Sequence, residues 1–125
     1  MENRILLDTN ALLRYVLNDD REKAEEVKKI IDENLTVVLM PVLQEAVYVL
    51  EGFYGIERNM IRRSLLTATD SLTYIEEEIV RKALDLYVKP PKLDFVDCLL
   101  LAYYSCEGID FFSFDKKLNK VKDSL

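Results

Sequence analysis

Histidine is absent from this chain of 125 residues. Without an imidazole the chain can build neither a Ser-His-Asp triad nor a histidine acid–base pair, and it lacks the usual ligand of zinc sites. Any catalysis must therefore depend on other side chains. This absence narrows the chemistry more than most of the features that are present.

Cysteines and long apolar runs are also scarce. The chain has two cysteines, Cys98 and Cys106, on one predicted helix, where their spacing corresponds to roughly 12 Å of rise. A disulfide requires Cα atoms within about 7 Å, so we expect reduced thiols. No apolar run approaches the ~20 residues of a membrane span, and Met1-Glu2-Asn3-Arg4 lacks the basic start of a signal peptide. These features together predict a cytoplasmic protein with no membrane association.

Positive charge is in deficit, with 17 Lys and Arg against 23 Asp and Glu and a net charge of −6. This balance argues against a nonspecific basic nucleic-acid binder. It does not exclude a nuclease, because active-site acids add to the negative count and a bound metal ion would reverse the local field. Half of the residues are apolar, which is enough for one folded domain.

Short apolar runs alternate with helix-like stretches, as in a parallel sheet covered by helices. The sequence predicts strands at Asn3 to Leu7, Leu35 to Met40, Leu72 to Ile75 and Ile109 to Phe114. It predicts helices at Ala11 to Leu17, Pro41 to Tyr54, Glu57 to Thr69, Glu76 to Val88, Asp94 to Glu107 and Asp115 to Val121. A further helix is expected after Asp19-Asp20-Arg21-Glu22, which resembles a capping box with a Glu three residues after the capping acid, and Asn34 is its expected end. We therefore expect an α/β fold, a three-layer α/β/α sandwich around a central parallel sheet of four or five strands.

Four carboxylates lie where packing does not explain them. Asp8 closes an apolar run, Glu45 and Asp97 interrupt apolar helices, and Asp115 follows an aromatic run. Ligands of open parallel sheets bind at the carboxyl ends of the strands, so we expect these acids to converge there. Crowded carboxylates raise one another's pKa unless a cation balances them. Oxygen-only ligands favour Mg²⁺ or Mn²⁺, which can activate water for phosphodiester hydrolysis.

The segments around these acids resemble the signature of the PIN-domain family. They are Ile5-Leu6-Leu7-Asp8-Thr9-Asn10, the isolated Glu45, Asp94-Phe95-Val96-Asp97 with the apolar residues that follow, and Ser113-Phe114-Asp115-Lys116-Lys117-Leu118. The small size is similar to the VapC-type toxin branch of that family. The resemblance implies a single PIN-like domain over residues 1–125 and a Mg²⁺- or Mn²⁺-dependent endoribonuclease acting on RNA. It further implies a homodimer and an antitoxin protein that neutralises the toxin.

The resemblance also assigns roles to individual residues. Asp8, Glu45, Asp97 and Asp115 match the catalytic, metal-binding acids, and Thr9, Asn10 and Ser113 match polar positions that support them. Asp94 either joins the metal ligands or caps its helix. Among the basic residues, Arg14 and Lys116 lie nearest in sequence to the acids Asp8 and Asp115, so they are the better candidates for contacting substrate phosphates.

Simpler interpretations exist for each acid. Asp8 and Asp115 can be helix caps, and Glu45 can pair with Arg14. Three further functions stay open: an RNA-processing or flap-like PIN nuclease outside any toxin pair, a phosphoryl-transfer or receiver domain, and a non-catalytic module whose acids hold a structural cation. The phosphoryl-transfer class is disfavoured because Asn10 stands where its phosphatases need a second Asp.

Overall fold

The computed structural model describes residues 3–125. Met1 and Glu2, on which the expected lack of a signal peptide partly depends, lie outside the described residues. The chain forms two compact units, the first ending at Ile75 and the second spanning Glu76–Leu125. Within residues 3–125, no helix combines the length and the apolar character that crossing a bilayer requires.

The first unit contains a parallel sheet and four α-helices. Its elements are β1 (Arg4–Leu6), α1 (Thr9–Leu17), α2 (Arg21–Glu33), β2 (Leu35–Val38), α3 (Met40–Gly52), α4 (Arg58–Thr67), a 3₁₀ turn (Ala68–Asp70) and β3 (Thr73–Tyr74). The strand order is β1-β2-β3. Ile5 pairs with Thr36 and Val37 with Thr73, in parallel register. Parallel strands joined through helices are the arrangement that the alternating sequence pattern predicts.

Helix α2 begins one residue later than the sequence predicts, because the expected capping box puts the N-cap at Asp19, three residues before Glu22, whereas Asp20 is the N-cap. The Asp20 side chain accepts a hydrogen bond from the Lys23 backbone N–H at 3.2 Å and starts α2, and α2 ends at Asn34. Pro41 lies in the first turn of α3, where its missing N–H costs nothing. Leu12, Leu43, Leu50, Ile61 and Leu65, from α1, α3 and α4, are fully buried.

The second unit is helical. It comprises α5 (Glu77–Tyr87), α6 (Phe95–Glu107) and α7 (Lys116–Asp123). Helices α5 and α6 pack together, and the rings of Tyr87 and Phe95 meet edge to face at 5.8 Å. Gly108 ends α6 with a φ of 67°, a left-handed conformation that favours glycine. Residues 3–125 thus hold seven α-helices and a parallel sheet, which confirms the predicted α/β class.

Three strands pair in the sheet, against the four or five expected, because Ile109 to Phe114 forms no strand. Side chains bond the backbone of this segment instead. The Phe111 N–H donates to the Asp110 carboxylate at 2.8 Å, and the Lys122 ammonium donates to the Phe111 carbonyl at 3.0 Å. Such local bonds compete with a strand ladder. Apolar character and β-branching alone therefore overpredicted a strand here.

Candidate functional site

Asp8 stands between β1 and α1, at the carboxyl end of the first strand. Its backbone is extended, and its Oδ1 accepts a hydrogen bond from the Ala11 backbone N–H at 2.8 Å, so Asp8 is the N-cap of α1. The side chain is exposed to solvent. Capping occupies one carboxylate oxygen, and the second oxygen can still bind a ligand. Capping and metal binding are therefore compatible at this residue.

An open depression of about 330 Å³ lies beside Asp8, and Asn10, Arg14 and Lys23 also line it. Thr9, the first residue of α1, is half-buried, and Asn10 is exposed. The sequence did not single out Lys23. Its position three residues after the capping Asp20 fixes it on the first turn of α2, but only the packing of α1 on α2 brings it to the depression. Its ammonium group adds a positive charge to the lining of this depression.

Arg14 is held by two partners within the first unit. Its guanidinium forms an ion pair with Asp19 at 2.9 Å and donates to the Tyr54 hydroxyl at 2.7 Å. Its Nε is buried and bonds to no other residue within 3–125. The alternative in which Glu45 pairs with Arg14 is wrong, because Asp19 and Tyr54 occupy the guanidinium. Arg14 thus joins the C-terminal end of α1 to the loop that follows α3.

Glu45 lies in the second turn of α3 and is exposed. Helix α3 begins just after β2, as α1 begins just after β1. Because β1 and β2 are parallel, both connections leave the same edge of the sheet. The topology thus puts Asp8 and Glu45 toward the carboxyl edge of this sheet, and the convergence of the four acids on one cleft stays a prediction.

Three carboxylates influence one another in the second unit. The Asp94 Oδ1 accepts the Asp97 backbone N–H at 2.9 Å and caps α6. Asp97 itself is half-buried in the first turn of that helix. Burial raises the pKa of Asp97, and the negative charges of Asp94 and Asp115 raise it further. A cation placed among these groups would remove this penalty.

Asp115 caps α7 by accepting the Leu118 backbone N–H at 3.0 Å. Ser113 supports it directly, since the Ser113 hydroxyl accepts a hydrogen bond from the Asp115 backbone N–H at 2.9 Å. The Ser113 carbonyl in turn accepts from the Asn119 side chain at 2.8 Å. Lys116, the first residue of α7, is exposed and follows Asp115 directly.

The donor chemistry of these acids suits a hard divalent cation, although no closed metal cage exists. Within residues 3–125, no three His, Cys, Asp or Glu side chains converge closely enough to hold a metal ion. Three of the acids, Asp8, Asp94 and Asp115, use one carboxylate oxygen as a helix cap. The crowding of Asp94 and Asp115 around Asp97 is the observation that fits an Mg²⁺-like ion. Residues 94–97 and Asp115 therefore form the part of the site most suited to a cation.

Comparison with known proteins defines the class. The family model described as PIN domain matches residues 5–124, which is nearly the whole chain. Such domains are generally nucleases that need a divalent metal ion. The chain belongs to the PIN domain family. No curated protein and no solved structure gives a significant match to it.

Proposed function

We propose that this PIN domain is a Mg²⁺- or Mn²⁺-dependent endoribonuclease. The observation that carries the proposal is the half-buried Asp97, whose pKa is raised by burial and by the negative charges of Asp94 and Asp115, in a chain without histidine. Evolutionary membership of the PIN family supports a nuclease in general. Asp8, Glu45, Asp97 and Asp115 serve as the metal-binding acids in this proposal, with Asp94 as a further ligand or a cap.

When bound, the divalent cation supplies a Lewis acid that lowers the pKa of water and stabilises charge on phosphate. The residues of the chain would hold this cation and orient the RNA phosphate beside it. The carboxylates of Asp97 and Asp115 provide the charge that attracts the cation, and Ser113 fixes the backbone at Asp115. Lys23 and Lys116 are placed to attract phosphate oxygens, and Arg14 acts mainly through the fold because Asp19 and Tyr54 already hold it.

The decisive experiment is cleavage of end-labelled RNA by the purified full chain, with Mn²⁺ or Mg²⁺ and with EDTA. We expect products only with metal, and loss of cleavage in Asp8→Asn and Asp97→Asn. Asp20→Asn is the matched control for Asp8→Asn, because Asp20 also caps a helix of the first unit. Undiminished cleavage in EDTA, or full activity in either active-site variant, would contradict the proposal. A DNA panel of the same sequence tests the preference for RNA.

The finer assignment is a cytoplasmic VapC-type toxin that forms a homodimer and is neutralised by an antitoxin. Small size and the order of the motifs support it. Exposed apolar side chains in the first unit, Tyr48, Phe53 and Met60, form the kind of surface that protein partners cover. Co-expression with the product of the adjacent upstream reading frame should give a complex without ribonuclease activity. Lack of any complex, with an active enzyme that does not arrest growth, would favour an RNA-processing role.

One observation favours a second candidate, a metal-binding module without catalysis. The negative charges of Asp94 and Asp115 next to Asp97 would attract a cation whether or not RNA is cleaved, so the cation could serve structure alone. In that case Mn²⁺ would raise the melting temperature while labelled RNA stayed intact. Cleavage of labelled RNA therefore separates the two candidates, since Mn²⁺ should raise the melting temperature in both.

A further inference from the structure

A second groove in the first unit lies apart from the acids. The C-terminal end of α1, the first half of α2 and the C-terminal half of α4 enclose about 580 Å³ between them. Neither Asp8 nor Glu45 is among its lining residues. We call it the α1–α2–α4 groove. It is larger than the depression beside Asp8, and the proposed chemistry does not use it.

The groove is basic although the chain is acidic. Arg21, Lys28 and Arg63 line it, and Glu25 is the one acid among the lining residues. The lining therefore carries two surplus positive charges, against a net charge of −6 for the whole chain. A local basic strip on an acidic protein raises the concentration of anions at that strip.

These cations are available to a ligand. All three are exposed, and within residues 3–125 none of them takes part in a salt bridge. Arg21 and Lys28 are seven residues apart on α2, which places them on one face, two turns and about 10 Å from each other. Arg63 approaches from α4 on the opposite wall of the groove. Charges spread over such a distance suit a ligand with repeated negative groups better than a single small anion.

The rest of the lining supports a polar, extended ligand. Asn18, Ser64 and Thr67 add neutral hydrogen-bonding groups. The aliphatic residues that line the groove are small, with Val16 the largest among Val16, Ala24 and Ala68. Protein partners are usually anchored by large side chains that fill deep apolar pockets, whereas the one aromatic residue of this lining is Tyr15, on which a nucleic-acid base can also stack. A phosphodiester backbone needs only cations and hydrogen-bond donors.

We propose that the α1–α2–α4 groove binds the phosphodiester backbone of single-stranded RNA, as an auxiliary site separate from the catalytic acids. The inference rests on the proposed function only in taking RNA as the substrate. It adds that affinity and cleavage are carried by different parts of the chain. Arg21, Lys28 and Arg63 supply phosphate contacts, and Glu25 opposes them.

The test measures binding without cleavage, using fluorescently labelled single-stranded RNA and the full chain in EDTA at several salt concentrations. Three phosphate contacts contribute about 2 to the slope of log K against log salt. The triple variant Arg21→Ala, Lys28→Ala and Arg63→Ala should therefore weaken binding at low salt at least tenfold and lower that slope by about 2. Glu25→Gln should act in the opposite direction and tighten binding severalfold.

The matched control is Lys29→Ala with Lys89→Ala and Lys120→Ala, which removes the same charge from exposed lysines outside the groove. Circular dichroism and melting confirm that both triple variants are folded. An equal loss in the control variant, or no loss in the groove variant, overturns the inference. It is also overturned if inorganic phosphate competes as strongly as RNA, or if the groove variant alters only self-association. RNA that binds through the groove but is never cleaved contradicts the proposed function and leaves the inference standing.

Discussion

Asp97 is the residue on which structure and proposed chemistry bear most directly. Its half-buried carboxylate lies near two further acids, so the folded protein must accommodate unfavourable negative charge there. Proteins often retain such local costs at functional sites, where the same groups serve binding or catalysis. A substitution that removes the charge of Asp97 should therefore increase the stability of the fold and decrease its activity.

Asp97→Asn should preserve or raise the melting temperature and abolish metal-dependent RNA cleavage. The amide keeps the size of the side chain and removes one of three mutually repelling charges. The lost metal contact should lower the rate on the order of a hundredfold or more. Thermal melting and cleavage of labelled RNA check the two effects. Glu107→Gln, on the exposed C-terminal end of the same helix, is the control for charge removal; it should leave cleavage unchanged and raise the melting temperature only slightly, because a carboxylate is unfavourable at a helix C-terminus.

Arg14 illustrates a residue whose role the sequence could not decide. Its nearness to Asp8 along the chain suggested phosphate binding, while the structure gives it Asp19 and Tyr54 as partners. We expect Arg14→Ala to lower the free energy of unfolding by about 1–2 kcal/mol, since a largely buried side chain loses its packing and hydrogen bonds. Tyr54→Phe should cost about 1 kcal/mol or less. Urea unfolding measures both, and an unchanged midpoint in Arg14→Ala would show that these bonds contribute nothing.

Among the elements, the helix N-termini carry most of the candidate site. Asp8, Asp94 and Asp115 each begin a helix and each accept a backbone N–H three residues ahead. The sequence predicted these positions because Asp is a strong N-cap and because apolar runs end beside it. It could not decide between capping and metal binding, since both use the same carboxylate.

Two substitutions at Asp115 separate these roles. Asn caps almost as well as Asp, whereas Ala does not. Asp115→Asn should therefore leave stability nearly unchanged, and Asp115→Ala should lower it by about 1 kcal/mol, while both lose RNA cleavage. Chemical denaturation and the cleavage assay give the comparison. Retained cleavage in the Asn variant would reduce Asp115 to a structural cap.

The bond between α6 and the start of α5 gives a pH-dependent prediction. The Tyr103 hydroxyl donates to the Glu76 carboxylate at 2.7 Å, and this bond raises the pKa of Tyr103 from 10.0 to about 12. The stability that this hydrogen bond adds is fully present below pH 10, the pKa of tyrosine in the unfolded chain. It is lost as the pH rises through about 12, the pKa of Tyr103 in the folded chain. Ultraviolet titration should show a late tyrosinate step whose amplitude falls by one tyrosine in Tyr103→Phe. If that variant titrates like the parent chain, another tyrosine holds the late proton.

The prediction of helices and strands succeeded where neighbouring residues in the sequence determine the structure. It failed where contacts with distant segments determine it. Asn34 and Gly108 marked helix ends correctly, and the predicted capping box came within one residue of the observed cap Asp20, because capping depends on a few neighbouring atoms. Residues 109–114 read as a strand, but strand formation depends on a neighbouring edge and on burial, which composition does not encode. Lys23 was missed at the site for a related reason: only the packing of two helices brings it beside Asp8.

For the whole molecule, the distribution of charge matters more than its total. The chain carries −6 overall, with acids crowded near Asp97 and a basic groove on the first unit. Metal ions and nucleic acid are thereby attracted to different places. An average over the sequence hides this separation, which explains why net charge alone argued only against nonspecific binding.

Mn²⁺ should stabilise the folded chain in a concentration-dependent way. A ligand that binds only the native state adds about 2.7 kcal/mol at a hundred times its dissociation constant. We expect the melting temperature to rise with Mn²⁺, and to rise less in Asp97→Asn. Sodium chloride at matched ionic strength controls for screening. An equal rise in salt and in Mn²⁺ would mean that the chain has no specific cation site.

The two thiols differ in accessibility, since Cys98 is fully buried and Cys106 is half-buried near the end of α6. A maleimide dye should therefore mark one position per native chain, without any engineered cysteine. Fluorescence energy transfer between identical dyes on associated chains reports how many copies associate and the concentration at which they dissociate. The stoichiometry expected of a homodimer can thus be counted on unaltered protein.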